Sequence, residues 1–144
     1  MNGYLLDTNV VSELRKGLSA NPGLAAWFAL RTKKELFLST VTLAELRRGI
    51  ALLANRDPKQ SEVLRPWCDR IQRDYGRTGR LLSIRSAEAA AWGELMAIRP
   101  LPIMDAFLAA TAQVHDLILI TRNQTDFAGL PIQIENPFSI IPSP

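Results

Sequence analysis

Short apolar runs alternate along the chain with longer segments in which apolar residues recur at helical spacing. The apolar runs cover residues 4–6, 36–39, 81–84 and 117–120, and residues 132–134 are a candidate fifth. Continuous apolar runs of this length are typical of strands that are buried on both faces of a parallel sheet. We therefore predict an α/β fold: a three-layer α/β/α sandwich with a central parallel sheet of about four to five strands.

Helices are predicted between these strands, with Gly and Pro residues marking several of their ends. They cover residues 9–16, 42–54, 60–75, 86–98 and 103–115, and one more follows the turn at residues 21–23 and includes Trp27, Phe28 and Leu30. Gly76, and again Gly79, are expected to stop the long polar helix. The pattern predicts a single domain over residues 1–144, with a Pro-rich extended tail from about residue 136.

The composition is that of an ordinary globular protein, with 47% hydrophobic and 22% charged residues in 144. No apolar run approaches the roughly 20 residues that a membrane-spanning helix needs, and no secretory leader is visible. We therefore expect a cytoplasmic protein that does not bind membranes. Cys68 is the single cysteine and His115 the single histidine. An internal disulfide, a thiolate zinc cluster and a mechanism with paired histidines are thus excluded.

The chain is basic, with a net charge of +3 and a pI near 9.4. Most basic residues are arginines, which bind phosphate in bidentate fashion, so the charge is compatible with RNA binding. A genome that favours Arg over Lys explains it equally well. One run of arginines surrounds Trp67 and Tyr75 and is either an RNA track with stacking platforms or, more simply, a charged helix exterior. It comprises Arg65, Arg70, Arg73, Arg77 and Arg80.

Four acidic residues lie at strand-to-helix junctions or at helix starts, namely Asp7, Glu45, Asp105 and Asp126. Each has a simple structural explanation. Asp7 could cap the helix that follows it, and Glu45 completes a capping box that begins at Thr42. Asp105 complements the dipole of its helix, and Asp126 could be a solvated loop residue. Taken one at a time, these residues do not define a site.

Taken together, the four acids indicate a metal site. Ligands of parallel α/β sheets bind beyond the carboxyl ends of the strands, where Asp7 and residues 121–126 would meet. Acidic residues gathered among apolar neighbours and without basic partners repel one another, and each raises the pKa of the others. A divalent cation removes this repulsion. Oxygen ligands with almost no His or Cys favour Mg²⁺ or Mn²⁺ over Zn²⁺.

Four segments of the chain resemble one known family in their order and spacing. They are LLDTNVVSEL, LSTVTLAELRRGIALL, LPIMDAFLAATAQVHDLILITRNQTDF and IENP. Together they resemble the PIN-domain ribonucleases, and specifically the VapC-type toxins of toxin–antitoxin pairs. The resemblance covers nearly the whole chain. It is carried by the strand followed by Asp-Thr-Asn, and by the helix-opening Asp with its Ala-rich run and Thr-Arg-Asn-x-x-Asp-Phe.

The resemblance implies a Mg²⁺- or Mn²⁺-dependent endoribonuclease that leaves 5′-phosphate and 3′-hydroxyl ends. Asp7, Glu45 and Asp105 fall on the acidic metal-site positions of the family, with Asp7 and Asp105 as ligands and Glu45 as a ligand or a water-orienting base. The fourth position is either Asn123 or Asp126. Thr8 and Thr121 are expected to orient water or a carboxylate.

The same resemblance implies partners. They are an RNA substrate, a cognate antitoxin that holds the toxin inactive, and a second copy of the chain in a homodimer. DNA would be reached only through the antitoxin. We expect the antitoxin to dock in a hydrophobic groove lined by Trp27, Phe28 or the helix at residues 46–53. Arg47 or Arg48 could face the acids and hold RNA phosphate, although at least one is expected to be solvated.

Two rival functions remain open. A phosphatase of the haloacid-dehalogenase type also places an Asp after its first strand, but it requires a second acid at the position of Asn9. A non-catalytic RNA- or partner-binding domain of the same fold would have no need for the acids. His115 lies at the end of a predicted helix and is expected to interact with the C-terminal carbonyls of that helix.

Overall fold

Five short parallel strands form the central sheet in the computed structural model, which describes residues 3–139. They are β1 (Tyr4–Leu6), β2 (Leu36–Ser39), β3 (Leu81–Leu82), β4 (Ile118–Ile120) and β5 (Ile134–Glu135). The order across the sheet is β3-β2-β1-β4-β5, so β1 and β4 are neighbours at its centre. All carboxyl ends therefore lie at one edge of the sheet.

Six α-helices in the described part of the chain cover the two faces of this sheet. They are α1 (Thr8–Leu14), α2 (Pro22–Ala29), α3 (Thr40–Leu53), α4 (Pro58–Arg77), α5 (Ser86–Ile98) and α6 (Ile103–His115). Leu5 of β1 packs in a core with α5 and α6, whereas the next residue, Leu6, packs in a core with α1 to α4. Consecutive strand residues point to opposite faces, and both faces are buried here. The predicted three-layer sandwich is confirmed.

Helices α5 and α6 have the predicted bounds, whereas α1, α3 and α4 start earlier than predicted because other side chains take their capping positions. Helix α3 begins at Thr40, since the Ser39 hydroxyl accepts a hydrogen bond from the Val41 N–H at 3.0 Å. Helix α4 begins at Pro58, because the carboxylate of Asp57 caps it and Pro favours the first helical position. Helix α1 begins at Thr8 rather than Asn9 and ends at Leu14.

The chain also departs from the prediction at later positions. Gly76 does not stop α4, which ends at Arg77, and the turn to β3 uses Gly79 with φ +71°. The fifth strand lies at Ile134–Glu135, later than predicted. Residues Pro137–Ser139 form a 3₁₀ turn rather than an extended tail, and the remaining predicted tail lies outside the described residues.

Among the described residues, no single helix is long and apolar enough to cross a membrane. Helices α5 and α6 would reach the required length only as a pair, and that pair is bent by 117°.

Candidate active site

The four acids predicted as a site lie on segments that follow strands or open a helix at the carboxyl edge of the sheet. Asp7 directly follows β1, and Asp126 lies in the 3₁₀ turn Gln124–Phe127 that follows β4. Glu45 lies in α3, which follows β2, and Asp105 lies in the first turn of α6. The three strands β2, β1 and β4, which precede Glu45, Asp7 and Asp126, lie side by side in the sheet. The topology therefore brings distant parts of the chain to one place.

Asp7 is only 5% exposed, and both of its carboxylate oxygens accept hydrogen bonds. Oδ1 accepts from the Thr8 backbone N–H at 2.7 Å, so Asp7 is indeed the cap of α1. Oδ2 accepts from the Thr121 hydroxyl at 2.7 Å and from the Asn9 amide at 3.1 Å. A carboxylate bound by side chains from two segments does more than cap a helix. Burial raises the pKa of Asp7 and the charge of Glu45 adds to this, while the three hydrogen bonds oppose it.

Glu45 does not belong to a capping box, so that interpretation is wrong. Helix α3 begins at Thr40, which places Thr42 inside the helix and fully buried. The Glu45 carboxylate instead accepts a hydrogen bond from the Thr8 hydroxyl at 2.6 Å, and this hydroxyl also lies 3.4 Å from that of Thr42. Glu45 is thus bound to the first turn of α1, next to Asp7.

Asp105 shows most directly that the acids are close together. The pKa of its carboxyl is raised from 3.8 to about 6, first by burial and then by the negative charges of Asp7, Asp126 and Glu45. Among the described residues 3–139, neither a basic side chain nor a hydrogen bond is a cause of this pKa shift. A favourable dipole at a helix start would not produce this shift. The four acids form one electrostatic cluster, which we call the acidic cluster.

Thr121 and Asn123 connect Asp7 to the segment that carries Asp126. The Thr121 hydroxyl, fully buried, donates to Asp7 and accepts from the Asn123 backbone N–H at 3.0 Å. The Asp126 side chain is exposed and interacts with Asp105 through its charge. Asn123 is also exposed, and its side chain makes no capping bond to the 3₁₀ turn. Both residues are therefore available to a ligand, and the choice between them stays a prediction.

The donor chemistry of the acidic cluster fits a hard divalent cation such as Mg²⁺ or Mn²⁺. It offers carboxylate, hydroxyl and amide oxygens and has no thiolate or imidazole. Residues 3–139 nevertheless contain no group of three acidic, histidine or cysteine side chains already arranged as a ligand set. The assignment of Asp7, Glu45 and Asp105 as metal ligands stays a prediction.

The two arginines predicted to contact RNA differ in position. Arg47 does not face the acids: its Nη2 donates to Asp69 at 2.7 Å and to Gln72 at 2.8 Å, both on α4. Its guanidinium therefore joins α3 to α4, which corrects the expectation for this residue. Arg48 lies one turn beyond Glu45 and is exposed, so its role in RNA binding stays a prediction.

The basic run near α4 is also only partly a surface feature. Arg65, Arg70, Arg73 and Arg77 are exposed, as expected of a charged helix exterior. Arg80 is buried, donates to the Leu36 carbonyl at 3.0 Å and lies 4.2 Å from the centre of the Tyr75 ring. Trp67 and Tyr75 pack against the core. The run thus lacks freely exposed aromatic platforms, and Arg80 is structural.

His115 ends α6 as predicted, but its ring contacts a different partner. Its Nε2 lies 3.1 Å from Oε2 of Glu88, a fully buried carboxylate on α5 that also binds Arg85. The Arg85 guanidinium is the main cause that lowers the pKa of Glu88 to about 2. The expected interaction with C-terminal carbonyls is therefore replaced by a contact between two helices.

Two further polar residues belong to the site and were not assigned to it from the sequence. Asn9 binds Asp7 and accepts from the backbone N–H of Arg122 at 3.4 Å. Thr42 is buried beside the Thr8 hydroxyl. The signals for them were their spacings: Asn9 comes two residues after Asp7, and Thr42 precedes Glu45 by about one helical turn.

With this geometry established, comparison with known proteins identifies the class of protein. Residues 4–131 match the family model described as PIN domain, and the chain belongs to the PIN-domain family. It is 31% identical over 141 residues to the toxin FitB of Neisseria gonorrhoeae, covering 93% of this chain and 97% of FitB. It is 29% identical over 141 residues to the VapC ribonuclease Y4jK of Sinorhizobium fredii, covering 93% and 96%.

A solved structure agrees with these sequence matches. The crystal structure of FitAcB from Neisseria gonorrhoeae superposes with a TM-score of 0.81 at 30% identity. The match covers 95% of this chain and 99% of the other. The sandwich fold is therefore shared over nearly the whole chain.

Proposed function

We propose that this protein is a divalent-metal-dependent endoribonuclease and the toxin of a VapBC-type toxin–antitoxin pair. The observation that carries the proposal is the gathering of Asp7, Glu45, Asp105 and Asp126 at the carboxyl edge of the sheet, where burial and then the charges of the other three acids raise the pKa of Asp105. Such an arrangement is unfavourable unless a cation binds there. The similarity to a VapC ribonuclease and to a toxin supports RNA as the substrate and toxicity as the role.

Each residue of the site has a distinct part in this function. Asp7, Asp105 and Glu45 would hold the ion, with Asp126 or Asn123 completing the set. Thr121 and Asn9 orient the Asp7 carboxylate, and Thr8 orients that of Glu45. When bound, the ion supplies Lewis-acid stabilisation to the phosphate and lowers the pKa of a water molecule.

The antitoxin would bind in an apolar groove beside the acidic cluster, and Phe28 rather than Trp27 is available there. Phe28 is 39% exposed, whereas Trp27 is buried. The groove has a volume of about 210 Å³ and is lined by Leu6, Val11, Leu14, Arg15, Phe28, Trp67, Ile71 and Tyr75. A second cavity shares Arg15 and Trp67 with it and extends to Thr8 and Glu45. An inhibitor seated in the groove could therefore reach the acids.

The remaining parts of the proposal follow from the same role. The toxin would act in the cytoplasm as a homodimer within the complex, and DNA would be bound only through the antitoxin.

The test is to sequence RNA 5′ ends after brief induction of the wild-type protein and of an Asp7→Asn variant. We expect new 5′-phosphate ends with the wild type and none with the variant. Asp74→Asn, on the exposed surface of α4, is the matched control and should cut like the wild type. Purified protein should cut RNA with Mg²⁺ or Mn²⁺ and lose this activity in EDTA.

Two results would contradict the proposal. Identical RNA ends with and without Asp7 would favour a non-catalytic binding domain. Hydrolysis of p-nitrophenyl phosphate without RNA cleavage would favour a phosphatase.

A further inference from the structure

Arg99 binds the segment that carries Asp126 through backbone atoms. It follows the last residue of α5, and its Nη2 donates to the Asp126 carbonyl at 2.6 Å and to the Ala128 carbonyl at 3.0 Å. Its Nε donates to the same Ala128 carbonyl at 3.2 Å. One guanidinium thus joins the end of α5 to both sides of Phe127. A planar group with five donors can do this, whereas an ammonium group cannot match the same fork.

The position of Arg99 in the chain gives this contact its significance. The short linker after Arg99, anchored by the buried Leu101, leads into α6, whose first turn carries Asp105. On the other side, the fully buried Phe127 anchors the 3₁₀ turn that carries Asp126. Arg99 therefore connects the two segments that present Asp105 and Asp126.

Arg99 reaches the acidic cluster through backbone carbonyls and not through a bond to a carboxylate. The causes of the raised pKa of Asp105 include Asp7, Asp126 and Glu45 but not Arg99. Two carboxylates that repel each other need an external constraint to stay close. The hydrogen bonds from Arg99 supply this constraint through the backbone.

We propose that Arg99 is a positioning residue that holds Asp126 against Asp105 and thereby sets the affinity of the acidic cluster for a divalent cation. This inference rests on the proposed function, because it requires that the acidic cluster binds metal. Residues that orient metal ligands typically change metal affinity by 10- to 100-fold when they are replaced.

The experiment measures Mn²⁺ affinity by calorimetric titration of the wild type, Arg99→Met and Arg99→Lys. We expect about tenfold weaker binding for Arg99→Met and an intermediate loss for Arg99→Lys. Arg31→Met is the matched control, because Arg31 also binds a backbone carbonyl, that of Trp27, and the hydroxyl of Tyr4, which starts β1 away from the acids. Urea unfolding of each variant verifies that it is folded.

A double-mutant cycle separates positioning from general loosening. If Arg99 acts through Asp126, Arg99→Met should have almost no further effect on Mn²⁺ affinity in an Asp126→Asn background, since the two sites are coupled. Three results would overturn this inference and leave the proposed function intact. Arg99→Met could weaken Mn²⁺ binding equally in both backgrounds, Arg31→Met could weaken it as much as Arg99→Met, or Arg99→Met could bind Mn²⁺ like the wild type. Wild-type protein that binds no Mn²⁺ would overturn the proposed function and this inference together.

Discussion

Replacing Asp105 by Asn tests whether this residue belongs to the acidic cluster or only complements its helix dipole. The amide keeps the shape of the side chain but removes one charge. If repulsion dominates, the metal-free variant should be more stable than the wild type near neutral pH. If the helix dipole dominates, the free energy of unfolding of the variant should be lower by roughly 0.3–1 kcal/mol.

The expected gain can be worked out from the pKa of Asp105. Folding raises this pKa from 3.8 to about 6, so the folded state binds the proton more tightly than the unfolded state. Stability therefore falls as pH rises between these values, and the full penalty is present only above about pH 6. An increase of roughly two in this pKa corresponds to a loss of about 3 kcal/mol in the free energy of unfolding. Because the side chain is half-buried, screening reduces this to about 1.5 kcal/mol, and the lost dipole interaction leaves a net gain of roughly 1 kcal/mol.

The assay is urea unfolding of both proteins in EDTA at about pH 8 and about pH 4, followed by melting curves with Mn²⁺. The gain should be present at the higher pH and vanish at the lower one, where the wild-type carboxyl is largely protonated. Mn²⁺ should stabilise only the wild type, because a ligand stabilises the state that binds it. The reasoning is refuted if the variant is less stable at about pH 8, or if it still cuts RNA and gains stability from Mn²⁺.

Three further changes test other parts of the structure. Glu88→Gln should lower stability by roughly 1.5–3 kcal/mol at neutral pH, because a buried carboxylate loses charge-assisted bonds. Folding lowers the pKa of Glu88 from 4.5 to about 2, so the stability difference between wild type and variant should shrink as pH falls through this range. A stability difference in urea unfolding that stays constant with pH would contradict this explanation. Thr121→Val should weaken Mn²⁺ binding about tenfold, because the Asp7 carboxylate loses its hydroxyl donor; unchanged calorimetric affinity would show that this hydrogen bond is only structural. Phe28→Ser should weaken binding of the co-expressed antitoxin at least about tenfold, as expected of an aromatic anchor, while Leu18→Ser, on an exposed residue outside the groove, should bind normally in the same pull-down and titration.

Much of the fold is readable from local pattern. The apolar pairs Leu5-Leu6 and Leu119-Ile120 supply one residue to each core, which is why continuous apolar runs indicate a sheet covered on both faces. Because such a sheet is parallel, its strand ends meet at one edge. The polar residues that follow β1 and β4 can therefore be placed together from the sequence alone.

The local role of Glu45 could not be decided in this way. Two capping residues, Ser39 and Thr42, compete for the start of α3, and both suit the position. Only the burial of Thr42 and the contact with Thr8, which is distant in sequence, select Ser39 as the cap and leave Glu45 for the acidic cluster.

The roles of the arginines likewise depend on tertiary contacts more than on local sequence. Exposed and buried guanidinium groups look alike in sequence, so the predicted basic run included Arg80, which is buried, beside four exposed arginines. Arg47, Arg80 and Arg99 each have a hydrogen-bond partner at least 22 residues away along the chain, on elements that only the packed sheet and helices bring close. Alternating strands and helices, and acids at their junctions, are determined by short-range pattern. Which acids lie close to one another, and which elements the arginines join, depends on contacts that only tertiary packing creates.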